Sequence, residues 1–457
     1  MEMKVEKRQI SRRDFLRASA LTTIGVALVG CSKPSPQPAA PSESEETAPT
    51  AQPASTGPEP IEITMWHGWT GADNTATMAT IIDGYNESNE QGITVDVTAY
   101  NWDEFFAKWV MATASGNPPD VALYHPTEVP EMVERGTVLP MDDLLDQVDW
   151  SWEGIADAVK EQCYYDGTLW GIVEDIHPFA MYYNVDLVEA AGLDPDSPPT
   201  NREEYLEWVE AMTIKDASGN FTQIGGPATV ATPHGTTRRT WHTWLHQAGT
   251  RFIEDNKAAF NNDAGREATQ FMYDMLNTYQ IGPKGHDDFE DFRAGIEGIC
   301  FNGPWNVNAW TGAGLNIRTA PMPACFKEPA AWCNSHIMSL SPTDSPERQL
   351  AGMRFIKYFA QNNLEACVNV GILPVTPEVM EQLQNHERWQ YYKAFAEEAE
   401  YLAYEPLILQ YTQVFTLEKP TPLTVNLEAA ISGEKTVEEA LKDMEKGINE
   451  ILEIPLT

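Results

Sequence analysis

Six tryptophans stand at breaks between the predicted elements of the chain, and their chemistry indicates a ligand. They are Trp66, Trp69, Trp241, Trp244, Trp305 and Trp332. An indole ring offers a flat apolar face and one N–H donor, whereas a sugar ring presents a face of C–H groups with hydroxyls around its rim. Stacking with hydrogen bonds at the edge is therefore the chemistry we expect in a cleft. Each of these tryptophans would also serve as an anchor of a loop or a core.

Histidines and carboxylates suggest other chemistry but do not establish it. His242 and His246 are spaced i, i+4 with His234 nearby, which would suit zinc or a helix face bonded to backbone or solute. Glu174 and Asp175 are adjacent, but carboxylate pairs are common in a chain with 68 acidic residues, so no acid/base couple follows. We find no motif of a serine hydrolase, phosphate-binding loop, dinucleotide-binding fold or zinc protease. The sequence predicts binding rather than catalysis, with no cofactor and no metal.

Hydrophobic periodicity indicates the elements that would position these residues. Strands are predicted at 61–66, 93–99 and 120–124, with helices at 73–89 and 103–115 between them. This β-α-β-α-β order predicts an α/β fold with a mostly parallel sheet. Ligands of such sheets gather beyond the carboxyl ends of the strands. The residues there are 66–70 and 124–127.

The later part of the chain continues the same alternation. Asn262 is a candidate cap of one helix, and Thr436 with Glu439 has the form of a capping box. Extended stretches are predicted at 170–184 and 296–301, and helices at 202–213, 263–279, 346–361 and 436–452.

The first sixty residues have the composition of an export signal and a tether. The apolar run 18–29 is too short to span a bilayer, and its flanks resemble a cleavable signal. Arg12 and Arg13 resemble a twin-arginine signal, and residues 28–31 resemble a lipoprotein processing box that would place a lipid on Cys31. An ordinary signal with an incidental cysteine is the alternative. Residues 32–60 contain eight prolines and are expected to be a disordered tether.

Charge and cysteine content limit the partners. A net charge of −38 argues against nucleic acid and against anionic lipid headgroups, so membrane attachment would depend on the lipid. Five cysteines follow Cys31, an odd number that is not a disulfide framework. A bridge between Cys325 and Cys333 stays an open alternative.

Short segments in a consistent order resemble the family 1 extracellular solute-binding proteins, the maltose-binding-protein-like receptors of carbohydrate ABC importers. The resemblance covers nearly the whole chain after the tether and implies a type II periplasmic-binding fold, with two α/β lobes and a hinge crossed several times. The segments are ITMWHGW (63–69), PDV (119–121), LWGI (169–172), MYYN (181–184), AAGL (190–193), PT (199–200), FNGPW (301–305), PMP (321–323) and GILP (371–374).

The resemblance also implies lobes and ligand contacts. Lobe 1 would hold 61–174 plus 330–365 and lobe 2 would hold 175–329 plus 366–457, with crossings near 172–178, 324–334 and 363–370. The family's usual Gly-Gly after Pro-Met-Pro is replaced by residues 331–334. The implied contacts are Trp66, His67, Trp69, Thr70, Tyr124, His125, Asp175, His177, Trp241, Trp244, Trp305, Trp332 and Asn334.

A monomeric, lipid-anchored receptor in the periplasm or on the cell surface is the function that the resemblance implies. It would capture a carbohydrate between its lobes and deliver it to the permease subunits of an ABC importer. Receptors for a polyol phosphate, polyamine or peptide are alternatives, as are a glycoside-acting enzyme and a zinc carrier. Arg238 and Arg239 form an adjacent basic pair that would suit a phosphorylated ligand.

Overall fold

Residues 61–67 alternate between buried and more exposed side chains, as a strand with one face on a core requires. The computed structural model describes residues 60–227, 235–415 and 420–455, which belong to one compact unit spanning 57–457. Ile63 and Met65 are fully buried in its first hydrophobic core.

This strand, β1 (Ile61–His67), belongs to a five-stranded sheet with β2 (Ile93–Ala99), β3 (Val121–Tyr124), β6 (Ile172–Val173) and β16 (Ile337–Leu340). The order of the strands in the sheet is β2-β1-β3-β16-β6. The strands β1, β2 and β3 are parallel, which confirms the predicted β-α-β-α-β unit. The strands β16 and β6 are antiparallel to their neighbours, so the sheet is less parallel than predicted, because the chain returns to it from a distant segment.

A second sheet lies between two hydrophobic cores. Its strands are β13 (Ile299–Asn302), β8 (Ala180–Asn184) and β14 (Ile317–Ala320), with β8 central and antiparallel to both neighbours. Successive side chains of a strand point to opposite faces, so Tyr182 packs in the first core and Tyr183 in the second.

The predicted extended stretch 170–184 is not one strand. It divides into three strands, because each piece has a different partner. The strand β6 pairs with β16, β7 (Asp175–Ile176) pairs with β17 (Leu373–Pro374), and β8 pairs with both β13 and β14. The remaining two-stranded pairs are β4 (Tyr164–Tyr165) with β5 (Thr168–Leu169), β9 (Ile214–Lys215) with β10 (Phe221–Gln223), β11 (Ile253–Glu254) with β12 (Lys257–Ala258), and β15 (Ala331–Cys333) with β18 (Leu402–Tyr404).

The helices surround these sheets, and the main ones agree with the predicted spans to within a few residues. The α-helices of the described residues are Ala72–Ser88, Trp102–Ala114, Val129–Glu134, Leu145–Val148, Asp157–Glu161, Val185–Ala190, Arg202–Met212, Thr236–Ala248, Asp263–Asn277, Asp288–Arg293, Val307–Gly312, Pro346–Gln361, Leu364–Ala366, Pro377–Gln384, Trp389–Glu397, Tyr411–Phe415, Pro422–Ser432 and Val437–Leu452.

Both predicted helix starts are confirmed. The Asn262 side chain accepts a hydrogen bond from the backbone N–H of Gly265. Thr436 and Glu439 form a capping box in which each side chain accepts from the other's backbone N–H. These contacts satisfy N–H groups that the first turn leaves without helical partners.

The predicted lobe boundaries stay a prediction. Trp310 and Phe395, which those boundaries assign to lobe 2, pack in the first core. The five cysteines after Cys31 are free and buried, so the Cys325–Cys333 bridge is not formed. Cys31, the arginine pair and the tether lie outside the described residues. Within the described residues, every helix is too short or too polar to cross a membrane.

Candidate functional site

Three histidines from distant parts of the chain meet beside the main sheet. His125 follows β3, His177 follows β7, and His336 immediately precedes β16. The ring centroids of His177 and His336 are 4.8 Å apart, and those of His125 and His336 are 5.0 Å apart. This histidine cluster forms because Ile337 pairs with both Tyr124 and Val173. The pairing with Tyr124 brings His336 beside His125, and the chain reaches His177 four residues after Val173.

Asp175 orients two of these imidazoles. Its Oδ1 lies 2.8 Å from Nδ1 of His177, and its Oδ2 lies 2.6 Å from Nδ1 of His336. The carboxylate is fully buried, so these hydrogen bonds replace the water that it lost. The Nε2 atom of His336 accepts the indole N–H of Trp69 at 3.1 Å, which completes the hydrogen bonding of that ring.

Tryptophan rings enclose the histidine cluster from two sides. Trp102 lies nearly parallel to His336, with centroids 6.1 Å apart and planes 14° apart, and it is 4.6 Å from His125. On the other side, the Trp305 ring meets His177 edge-on at 5.7 Å. Trp332 stands perpendicular to Trp305 at 6.4 Å. Trp102 and Trp305 are half-buried and can offer ring surface to a ligand, whereas Trp332 is 1 % exposed and packs behind Trp305.

A cationic side chain, that of Arg239, lies against the indole rings of Trp305 and Trp332. The guanidinium of Arg239 is 4.5 Å from the ring centroid of Trp332 and 5.8 Å from that of Trp305. Burial, and then repulsion from Arg238, lower the pKa of Arg239 to about 10, so it stays charged near neutral pH. A charged planar donor set is suited to hydroxyl, carboxylate or phosphate oxygens.

Two histidines near this cation, His125 and His177, have pKa values below the usual one and are neutral at neutral pH. Burial lowers the pKa of His177 to about 4, although its hydrogen bond to Asp175 opposes the shift. Burial, followed by the charges of His336 and His177, holds the pKa of His125 well below its usual value. A neutral imidazole has one donor and one acceptor, which matches a hydroxyl group.

Two glycines allow the tryptophans to approach. A Cβ on Gly68 would lie 2.3 Å from the Trp102 ring. Gly371 has φ near +84°, and a Cβ there would lie 2.5 Å from the carbonyl oxygen of Pro304 and 2.6 Å from the Cα of Trp305. Close contact with a backbone is a position that only glycine fills without strain, so Gly371 sets the position of Trp305.

Eight of the predicted contact residues lie in or beside the histidine cluster. The Asn334 carbonyl accepts the His177 backbone N–H at 3.0 Å, and His67 Nδ1 accepts the Trp69 backbone N–H at 3.2 Å. The eight residues are His67, Trp69, His125, Asp175, His177, Trp305, Trp332 and Asn334.

Other predicted contacts lie elsewhere. Tyr124 is buried, with its hydroxyl 2.8 Å from the Ser339 hydroxyl. Thr70 is exposed, and Trp66 packs against Tyr100 at 4.8 Å.

Trp241 and Trp244 are placed in the second hydrophobic core. Trp241 donates its indole N–H to Thr269 at 2.9 Å, and Trp244 meets Phe301 edge-on at 5.6 Å. Both indoles are at most 2 % exposed, which corrects the expectation that they stand in a loop beside the ligand. Helical periodicity over Thr236–Ala248 turns these positions toward the core.

Three residues of the site were not predicted as contacts: Trp102, Arg239 and His336. Trp102 begins the helix Trp102–Ala114, three residues after β2 ends at Ala99. This position near the carboxyl end of a predicted strand was a signal that sequence reasoning could have used. His336 precedes β16, a strand that the hydrophobic pattern did not predict. Arg239 was noted only as half of a basic pair.

The suggested zinc site at His242 and His246 lacks a third ligand among the described residues. The two rings lie 4.5 Å apart, and His234 lies outside the described residues. Burial, with the charge of Arg238, lowers the pKa of His242 to about 3. The pair is therefore a buried, neutral contact of one helix.

The family model of the bacterial extracellular solute-binding proteins matches residues 80–397. A glycerol-3-phosphate-binding periplasmic protein of Brucella abortus is 29 % identical over 205 residues, which are 44 % of this chain and 42 % of that protein. A maltotriose-binding protein of Pyrococcus abyssi is 21 % identical over 59 % of this chain and 57 % of its own length. This chain thus spans about half the length of the curated relatives that it matches.

Solved structures share the fold over almost their whole length. A solute-binding protein of Thermotoga lettingae, bound to α-D-tagatose, is 25 % identical with a TM-score of 0.69, covering 86 % of this chain and 100 % of that one. A cyclic α-maltosyl-1,6-maltose binding protein of Arthrobacter globiformis is 24 % identical with a TM-score of 0.71, covering 86 % and 99 %. The fold is that of the type II periplasmic sugar-binding proteins. The chain belongs to the bacterial extracellular solute-binding proteins, a family of substrate-binding receptors.

Proposed function

We propose that this protein captures a carbohydrate at the histidine cluster and delivers it to an ABC importer. The observation that supports this most is the combination of indole faces with neutral imidazoles, a carboxylate and one guanidinium in a single site. Saccharide C–H faces stack on aromatic rings, and their hydroxyls need both donors and acceptors. The two solved relatives described above are complexes or receptors of sugars.

A ligand that contacts residues carried by both sheets would favour a closed conformation of the protein, in which those residues are close together. His125 follows a strand of the five-stranded sheet, whereas Trp305 follows β13 of the other sheet. A ligand that touches both stabilises the arrangement in which they are close, because only differential affinity shifts a conformational equilibrium. The closed form would then be the one that the permease binds.

Trp305→Ala is expected to weaken saccharide binding by roughly tenfold to a hundredfold, because loss of an aromatic stacking platform costs about 1–3 kcal/mol. The measurement is intrinsic tryptophan fluorescence and thermal unfolding of the protein with mono- and oligosaccharides. Trp152→Ala is the matched control, since Trp152 is also half-buried but packs against Trp150 and Tyr164.

The ligand panel also contains glycerol phosphate, polyamines and zinc. A response to a saccharide that Trp305→Ala removes and Trp152→Ala retains supports the carbohydrate receptor. Because relatives that bind glycerol phosphate are among the matches, a response to that compound alone would replace the carbohydrate with a phosphorylated polyol held at Arg239. A response only to zinc would reject both ligands.

We also propose that the protein is a monomer held on the outer face of the membrane by a lipid on Cys31, after twin-arginine export. The support is the order of arginine pair, apolar run and cysteine in the sequence. Cys31→Ser is expected to move the protein from the membrane fraction to the soluble fraction, because two acyl chains anchor stably and none would remain. The mass of the N-terminal peptide checks the modification, and an unmodified Cys31 in membrane-extracted protein would contradict it.

A further inference from the structure

A second group of ligand-type side chains lies around His286, apart from the histidine cluster. The Nδ1 atom of His286 is 3.2 Å from Oδ2 of Asp291 and 3.8 Å from Oε2 of Glu297. All three ligand atoms lie within 4.8 Å of one another. We name these residues together with Asp288 the His286 cluster.

Two carboxyl groups of the His286 cluster are buried and accept no hydrogen bond from any described residue. Asp288 and Glu297 are both 0 % exposed, and none of their four carboxylate oxygens has a hydrogen-bond partner among the described residues. Their charges also repel each other, and Asp291 adds to the repulsion on Glu297. A buried carboxylate without a partner is costly to fold, so the folded His286 cluster requires either protons on these carboxyl groups or a positive charge beside them.

We propose that the His286 cluster binds one divalent metal ion through the imidazole of His286 and the carboxylates of Asp291 and Glu297, with the carboxyl group of Asp288 buried nearby. One imidazole nitrogen with carboxylate oxygens suits a first-row transition-metal ion such as Mn²⁺ or Zn²⁺ better than Ca²⁺, which prefers oxygen ligands alone. In this arrangement the metal takes the place of the hydrogen that His286 shares with Asp291, and the imidazole stays neutral.

The remaining carboxylate nearby has a different role. Asp287 caps the helix Asp288–Arg293, since its Oδ1 accepts the backbone N–H groups of Phe289 and Glu290 at 3.2 and 3.3 Å. This cap fixes the start of the short helix that carries Asp288 and Asp291. The His286 cluster therefore stands on a backbone that is held independently of any ion.

The metal would support the strand that leads to the candidate ligand site. Glu297 lies two residues before β13, and its backbone forms an isolated bridge with Ile224. The strand β13 continues into Gly303 and Trp305. We assign the ion a structural role, because the His286 cluster is buried and contains no residue of the histidine cluster.

Titration of Mn²⁺, Zn²⁺ and Ca²⁺ into chelator-treated full-length protein tests this site. We expect one ion to bind per chain and to raise the midpoint of thermal unfolding, because a ligand of the native state stabilises it by mass action. Glu297→Gln and Asp291→Asn are each expected to weaken binding by more than about 100-fold, beyond the 10–100-fold loss that a merely supporting residue produces. Isothermal titration calorimetry measures the affinity for each ion, and the electron paramagnetic resonance signal of free Mn²⁺ provides a second measurement for that ion.

Glu174→Gln is the matched control, because Glu174 is also fully buried with both carboxylate oxygens unpartnered among the described residues. It should bind the ion as the natural protein does. The Glu297→Gln variant should fold without metal at least as well as the natural protein, since a neutral amide replaces a buried carboxylate.

Absence of binding by all three ions, or equal binding by Glu297→Gln, overturns the proposal. Loss of binding in His336→Gln with retention in Glu297→Gln would also overturn it, because the ion would then lie at the histidine cluster.

Discussion

Asp175→Ala is expected to lower the free energy of unfolding by about 3–5 kcal/mol and to abolish ligand binding. The Nδ1–H groups of His177 and His336 would both lose their acceptor inside the protein, and a buried group left without its partner costs this much. The two rings would also lose the hydrogen bonds that orient them toward a ligand. Chemical denaturation at pH 7 measures the first effect, and fluorescence titration with the saccharide measures the second.

The pH dependence of this loss has a defined sign. Burial alone would raise the pKa of Asp175, but His336 and His177 outweigh it and hold the pKa below its usual value. A carboxyl group whose pKa is lower in the folded protein than in the unfolded chain stabilises the fold at pH values above its unfolded-chain pKa, which is about 4. This contribution is lost as the pH falls below that value and through the pKa of the folded protein. The difference between the natural protein and Asp175→Ala should therefore be constant from pH 5 to 7 and smaller by about 1 kcal/mol at pH 3.

The neighbouring carboxylate provides the control. Glu174 is as buried as Asp175, but its oxygens have no hydrogen-bond partner among the described residues. Burial, followed by repulsion from Asp175, raises the pKa of Glu174 well above its usual value. Glu174→Gln is expected to leave stability unchanged or to raise it at pH 7. A loss as large as that of Asp175→Ala would show that any change in β7 or beside it destabilises the protein.

The difference between Asp175 and Glu174 illustrates which features of the structure can be predicted from the sequence and which cannot. The first three strands and the long helices were predictable because apolar residues recur with the period of each element. The predicted strand 170–184 failed because its pieces pair with segments more than a hundred residues away. Nothing in the sequence indicates that the Asp175 carboxylate would have two histidine partners, whereas that of Glu174 has no hydrogen-bond partner in the described part of the chain.

The candidate site was predictable to the extent that it follows strand ends. His67, His125 and His177 could be placed in this way, together with the loop that carries Trp305. Trp241 and Trp244 were misplaced because a tryptophan near a break in the pattern is also consistent with the buried face of a helix. His336 was missed because its ring meets His177 only through tertiary contacts, which one sequence does not show.

Arg238→Met is expected to destabilise the protein by about 3–5 kcal/mol, because it leaves the carboxylate of Glu405 buried without its counter-charge. Arg238 pairs with Glu405, which also accepts the hydroxyl hydrogen of Tyr411. The side chains of Arg238 and Glu405 are 7 % and 0 % exposed. Arg238 sits beside Arg239 on the helix Thr236–Ala248, so the loss would also disturb the cation at Trp332. Urea denaturation of the single variants and of the double variant measures the effect.

Burial, rather than the mere existence of an ion pair, determines this expected loss. The double variant Arg238→Met with Glu405→Gln removes both charges and keeps an acceptor for Tyr411, so it should recover most of the stability. The matched control is Arg318→Met, whose partner Asp196 lies 2.6 Å away but whose side chains are 44 % and 80 % exposed. An exposed pair contributes less than about 1 kcal/mol. Equal losses in Arg238→Met and Arg318→Met, or no recovery in the double variant, would show that packing of the arginine side chain, and not its charge, stabilises this helix.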